Sequence, residues 1–270
     1  MPPPDTEFFK RRVWRTIPND VQDNKNAAFR FKIMSYNVLA QSLVRRDYYP
    51  YAQQTALNAK NRERNILNEC LHWDADILCL QEVEPHIIKE LRVLGGYRVE
   101  FVHAAKRKFG CAILWKSDAF ECVLREKVDF DVVHDRVPPT YLTDCFGQVV
   151  ILKTMKTLPS VELVKSFRAK DQILDDITVQ GDEEEDEEDD KEKPLLLMVG
   201  NCQVFWAECA MYEKVRQSMI MLDTMWSVEQ SYMEGFNEKR PFPMLLCGGK
   251  CLLKSVCWCL FFCRFQFVSK

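Results

Sequence analysis

Ile77-Leu78-Cys79-Leu80-Gln81-Glu82-Val83 constrains this chain more than any other stretch, because four apolar residues run straight into a carboxylate. A strand buried on both faces reads as a short, near-continuous apolar run and belongs to a sheet covered by helices. Ligand sites in open α/β sheets gather at the carboxyl ends of such strands, so a buried strand here delivers Glu82 to that end. A carboxylate taken out of water is costly unless it is paired or holds a metal. Glu82 is therefore either a surface acid just beyond a strand or a functional group.

Strand-like and helix-like segments alternate around this run. Phe29 to Leu39 reads as a first strand ending in Ser35-Tyr36-Asn37-Val38-Leu39. Thr55 to His72, with Leu57, Ile66, Leu67 and Leu71 among charges, predicts an amphipathic helix. His86 to Leu94 predicts another, stopped by Gly95-Gly96. Tyr97–Val102, Gly110–Trp115, Val149–Leu152, Leu195–Val199 and Pro243–Gly248 read as further strands. From Tyr212 to about Tyr232 a helix is expected, its stripe of Val215, Met219, Leu222 and Trp226 facing the core. The fold class is α/β.

The formal charge of −3 hides a division, since Asp182 to Asp190 is an unbroken run of nine acids. Without those nine, 31 acidic residues face 37 Lys and Arg, a net of +6 that permits a polyanionic ligand. Residues 1–28, Pro-rich and then charged, predict a loosely ordered tail, and 181–193 a disordered loop. Met1-Pro2-Pro3-Pro4-Asp5 opens no apolar secretory segment, so the twelve cysteines point to a reducing, intracellular compartment, cytoplasmic or nuclear. No apolar stretch reaches the length of a membrane span. Residues 249–270 are rich in Cys and Phe, with no trustworthy strand or helix period. The spacing of Cys251, Cys257, Cys259 and Cys263 lacks the paired CxxC element of a structural zinc site.

The order of motifs is specific. Ser-Tyr-Asn-Val-Leu at 35–39 is followed by Asp74-Ala75-Asp76-Ile77-Leu78-Cys79-Leu80-Gln81-Glu82-Val83. Then comes Gly110-Cys111-Ala112-Ile113-Leu114-Trp115, after the basic loop Lys106-Arg107-Lys108. This order resembles the endonuclease/exonuclease/phosphatase superfamily with the DNase I-like fold. Within it the chain looks closest to the carbon-catabolite-repressor and fungal Ngl-type RNA exonucleases, to which Leu39-Ala40-Gln41-Ser42-Leu43-Val44-Arg45-Arg46 is particularly similar. The resemblance spans about 29–248 and is strongest over 31–116. It implies a four-layer α/β sandwich, two packed β-sheets flanked by helices, and Mg²⁺-dependent hydrolysis at single-stranded RNA 3′ ends, with Mn²⁺ as an alternative ion. By resemblance, Glu82 is the carboxylate metal ligand and Asn37, beside it, orients metal-bound water or phosphate. Asn201 completes the catalytic set, and Arg107 with Lys106 and Lys108 forms the phosphate-contacting patch.

The remaining family motifs depart from the pattern. Asn-Thr-His-Leu is matched by Asn201-Cys202-Gln203-Val204, and an amide carries neither the proton nor the charge of imidazole. Cys-Gly-Asp-Phe-Asn is matched by Cys247-Gly248-Gly249-Lys250-Cys251, and no Ser-Asp-His follows. The four histidines, His72, His86, His103 and His134, all lie in the first half. Loss of one general acid–base group costs about 10²–10⁴ in rate. The expectation is a C-terminally truncated member that is inactive or nearly so, its second sheet left with an exposed edge. The alternatives are a catalytically dead RNA- or protein-binding module and another phosphodiesterase or phosphatase of the superfamily. Gly249-Lys250-Cys251 can be encoded by a string holding the splice-donor sequence GTAAGT, which predicts that 249–270 are translated intron.

Overall fold

Alternate residues of β2 (Ile77–Val83) serve two cores, which is why no polar position interrupts its apolar run. Ile77 and Cys79 pack toward a second sheet, while Leu78 and Leu80 pack under helices. The computed structural model describes residues 31–104, 106–133, 137–158, 193–207, 209–236, 238, 242–249 and 258–262. β1 (Ile33–Asn37) lies parallel to β2, whose other edge pairs antiparallel with β4 (Gly110–Lys116). β3 (Tyr97–Val102) closes this first sheet in the order β1-β2-β4-β3. The second sheet comprises β5 (Phe120–Asp129), β6 (Phe146–Leu158), β7 (Lys193–Gln203), β8 (Met244–Gly249) and β9 (Trp258–Phe262), ordered as in the chain, with only β7 and β8 parallel.

Helices α1 (Gln54–Leu57), α2 (Ala59–Trp73) and α3 (Pro85–Gly95) precede the second sheet, and α4 (Met211–Phe236) joins β7 to β8. The Asn58 side chain caps α2 by accepting from the Asn61 amide at 3.3 Å. Pro85 opens α3, and Gly96, at φ 68°, ends it as the Gly-Gly pair predicts. Ile66, Cys70, Ile87 and Leu91 of α2 and α3 cover the outer face of the first sheet, and Met221 and Met225 of α4 cover that of the second. Between the sheets lie Ile77, Ile113, Trp115, Val150, Leu152, Val199 and Leu245. Two mixed sheets packed together and flanked by helices are the fold the sequence leads one to expect.

Four expectations need correction or refinement. Val215, Met219, Leu222 and Trp226 do not face the core, being between 42% and 63% exposed. The buried side of α4 instead carries Met221 and Met225 with Glu213, Arg216, Gln217 and Glu229. Glycine makes that approach close: a Cβ on Gly147 would stand 2.7 Å from Met221 Sδ, and one on Gly200 would stand 2.8 Å from Met225 Sδ. β5 was not anticipated, because most of its residues are at least partly exposed and a bulge between Cys122 and Leu124 breaks its alternation. β6 and β7 run well beyond the short apolar stretches that announced them. Trp258–Phe262, expected to lack regular structure, forms β9 along the β8 edge. The tail over 1–28 and the acidic segment lie outside the described residues, except for Lys193 at the start of β7, as do His134, Cys251, Cys257 and Cys263.

Candidate active site

The pairing of β2 with β4 slips between Leu80 and Val83, and Glu82 takes a left-handed backbone, φ 55°. Such a bulge re-aims side chains at a strand end, and strain of this kind collects at functional sites. Its two polar residues have different tasks. Gln81 points between the sheets and donates to Asn201 Oδ1 at 2.8 Å. Asn201, fully buried, donates through Nδ2 to the carbonyls of Leu80 at 3.0 Å and Ala112 at 2.9 Å. Its amide thereby locks β7 to both β2 and β4.

Glu82 is 2% exposed. Its Oε1 accepts from Asn37 Nδ2 at 2.9 Å and from Gln203 Nε2 at 2.7 Å. Its Oε2, also buried, has no hydrogen-bond partner among the described residues. Asn37 is itself oriented, since its Oδ1 accepts from the Leu39 amide at 3.0 Å while Leu39 takes φ 56°. A buried carboxylate oxygen without a donor is unfavourable unless a cation completes it. Mg²⁺ prefers hard oxygens and keeps several waters, binding through as little as one carboxylate. The donor set therefore fits such an ion at Glu82 Oε2, although no group of three or more metal-ligating side chains occurs among the described residues.

Glu82 opens on a cleft of about 270 Å³ lined by Val38, Gln41, Arg62, Glu63, Glu84 and His86, among others. Arg62 builds its floor, donating to the carbonyls of Val38 at 2.8 Å and Leu39 at 2.6 Å and to Gln41 Oε1 at 2.8 Å. Burial lowers the Arg62 pKa, and Tyr36, Glu84, Tyr49 and Glu82 oppose that. Tyr49 is raised, first by burial and then by the Glu82 charge. Sequence reasoning missed Arg62. The available signal was its place one turn before buried Ile66 on α2, where a charge needs a partner.

Gln203 also lines a second pocket, with His103, Arg107, Phe109, Asp144 and Phe146. The half-buried Arg107 donates to the Thr143 carbonyl at 2.7 Å and lies 5.4 Å over the Phe109 ring, while Lys106 and Lys108 are exposed. Thr143 is held by Asp131 Oδ1, at 2.9 Å from its amide and 2.8 Å from its hydroxyl. Gln217 of α4, fully buried, donates to Thr143 Oγ1 at 3.0 Å and accepts from the Phe205 amide at 2.8 Å. It thus ties the Arg107 side of the pocket to the Gln203 side. One turn away, Glu213 accepts from the Thr140 amide at 2.6 Å and hydroxyl at 2.7 Å and pairs with Arg216 at 3.0 Å. Burial alone would raise the Glu213 pKa, but the Thr140 and Arg216 contacts bring it below the ordinary value.

Asn37 and Glu82 thus stand together, and Asn201 reaches them through Gln81 and the β2 backbone. Arg107 belongs to the adjoining pocket. Two of the positions that depart from the motifs are neighbours, because Gln203 and Gly249 are register partners on β7 and β8.

A model of the Endonuclease/Exonuclease/phosphatase family matches residues 34–202. The RNA exonuclease NGL2 of Saccharomyces cerevisiae is 28% identical over 202 residues, which are 73% of this chain and 34% of the relative. The CCR4-NOT transcription complex subunit 6-like protein of Danio rerio is 26% identical over 262 residues, 90% of this chain and 44% of the relative. The crystal structure of ANGEL2, a 2′,3′-cyclic phosphatase, in complex with adenosine-2′,3′-vanadate superposes with a TM-score of 0.55 at 24% identity, covering 81% of this chain and 52% of that one. That likeness is one of fold. The chain spans between a third and a half of the length of these two curated relatives.

Proposed function

The chain belongs to the endonuclease/exonuclease/phosphatase family, and from that premise we propose that its site is built for Mg²⁺-dependent phosphodiester hydrolysis at single-stranded RNA 3′ ends. One observation carries the reading: Glu82 Oε2 is buried with no hydrogen-bond partner among the described residues, while Asn37 and Gln203 saturate Oε1. When bound, Mg²⁺ supplies charge stabilisation for the phosphoryl oxygens and a more acidic water. Glu82 and Asn37 would hold it, and the two amides on Oε1 leave Oε2 as the carboxylate oxygen available to it. Arg107, with Lys106 and Lys108 outside it, contacts the RNA phosphates. Asn201 acts through Gln81 and Leu80, setting the end of β2 against the second sheet. NGL2, named an RNA exonuclease, supports the substrate class.

Turnover in this chain is weak in our reading, and two residues support that. Gln203 cannot shuttle a proton, and Gly249, its register partner, offers no carboxylate. The same pair favours a second reading, an RNA-binding module without turnover. A Mg²⁺-dependent assay on 3′-hydroxyl oligo(A) and mixed RNA, comparing the chain with Glu82→Ala, separates the two. Slow 3′-to-5′ shortening abolished by Glu82→Ala supports hydrolysis. Identical background in both, with RNA still bound, supports the module.

A further inference from the structure

Two cations and an imidazole, each stacked on an aromatic ring, stand in or beside the pocket behind Gln203. Arg107 lies 5.4 Å over Phe109. Lys127, an exposed β5 residue, places its ammonium 4.2 Å over Phe146, which it reaches diagonally across the β5–β6 ladder. His103, exposed, stacks on Phe101 at 5.2 Å and 27°, and its Nδ1 lies 2.8 Å from the Ala104 carbonyl, fixing the ring. Phe109, Phe146, His103 and Arg107 line the pocket with Gln203, whose amide reaches Glu82 Oε1. Among the described lining residues, Asp144 alone brings a negative charge.

From this we infer that the surface around this pocket, whose own cavity of about 20 Å³ is too small for a nucleotide, is the subsite for the RNA nucleotides upstream of the 3′ end, with Lys127 on a backbone phosphate and His103 a stacking platform for a base. The inference deepens the RNA reading of the Glu82 site and rests on it. Single-stranded nucleic acid is held by a cationic track with aromatic faces beside it, and each element is present here. A cation over a ring keeps its outward N–H groups for phosphate, while the ring removes apolar surface from water. Asp144 confines phosphate to the Arg107 and Lys127 rim. Gln203 of this pocket donates to Glu82, which lines the cleft, so a strand whose 3′ nucleotide occupies the cleft passes across that contact toward the pocket.

The experiment is fluorescence anisotropy of 5′-labelled RNA dimers and hexamers, in EDTA so that nothing is hydrolysed, across a salt series. AMP competition reports the 3′-nucleotide site alone. The full chain is compared with Lys127→Gln, His103→Ala and Arg107→Ala. Lys127 and His103 are exposed, so both variants keep the fold, which their melting confirms. Lys127→Gln is expected to flatten the salt dependence of hexamer binding by about 0.7 in log–log slope, one phosphate contact. His103→Ala is expected to weaken hexamer binding by about tenfold, and both variants leave AMP unchanged. If Arg107→Ala weakens the hexamer while Lys127→Gln and His103→Ala match the parent, the subsite is refuted and the RNA reading stands. If the folded parent binds no hexamer at all, the RNA reading falls and the subsite with it.

Discussion

Gln203 Nε2 donates to Glu82 Oε1 across 2.7 Å, joining residues 121 positions apart in the chain and linking the two sheets. The same oxygen takes the Asn37 amide, so the carboxylate is clamped from both sheets at Oε1 while its buried Oε2 has no hydrogen-bond partner among the described residues. A glutamine in the place of the family's histidine therefore has a structural task of its own.

Gln203→Leu removes one of the two donors to a buried carboxylate. Hydrogen bonds to charged groups contribute about 1.5–3 kcal/mol, so urea unfolding should show a loss in that range with an unchanged m-value. Gln203→His should recover part of it, because an imidazole N–H can donate to the same oxygen.

Glu213 gives the fold a dependence on acid. Its folded pKa lies below the ordinary glutamate value of 4.5, so below that value the unfolded chain binds more protons than the folded one, and stability falls with pH. The contribution is complete above the ordinary glutamate range and is lost as pH falls through the folded pKa. Glu213→Gln should abolish that part of the pH dependence. It should also destabilise by about 3–5 kcal/mol at pH 7, since Arg216 is left buried without its partner charge. Chemical denaturation between pH 3 and 7 reads both effects.

Gln217 is a positioning residue for Arg107. Gln217→Leu strands the Phe205 amide and removes one donor to the Thr143 hydroxyl, which keeps Asp131, at a cost of about 1–3 kcal/mol. It should also lower the salt slope of RNA binding as Arg107→Ala does. Because the two residues act through Thr143, the double variant should bind no more weakly than Arg107→Ala alone. A merely structural role for Gln217 would leave the slope unchanged.

Gly200→Ala puts a Cβ 2.8 Å from both Met221 Cε and Met225 Sδ. Overpacking of this kind costs about 1–3 kcal/mol, and Met225→Ala in the same chain should relieve part of it, measured by thermal melting.

These residues show where sequence reading reaches and where it stops. β2 and its carboxylate were legible because burial on both faces leaves an unbroken apolar run, a one-dimensional signal. α4 was legible as a helix but not in its orientation, since it carries apolar residues on both sides. Met221 and Met225 go inward with Glu213, Arg216 and Gln217, whose burial is offset by partners far along the chain. Periodicity counts apolar residues and cannot see those partners. β5 was hidden by its bulge and its exposed charges. The resemblance marked Gln203 as a lost histidine, and only the register of the sheets brings it to Glu82.

Glu82→Gln tests the central claim most directly, because it keeps the shape of the side chain and removes the charge that a cation would complete. Thermal melting with and without millimolar Mg²⁺ is the measurement. The parent should gain stability as Mg²⁺ is added. Glu82→Gln should melt no lower than the parent without metal, since the uncompensated buried charge is gone, and should gain nothing from Mg²⁺. An equal Mg²⁺-induced rise in both proteins, or none in the parent, would contradict the assignment of Glu82 as the metal ligand.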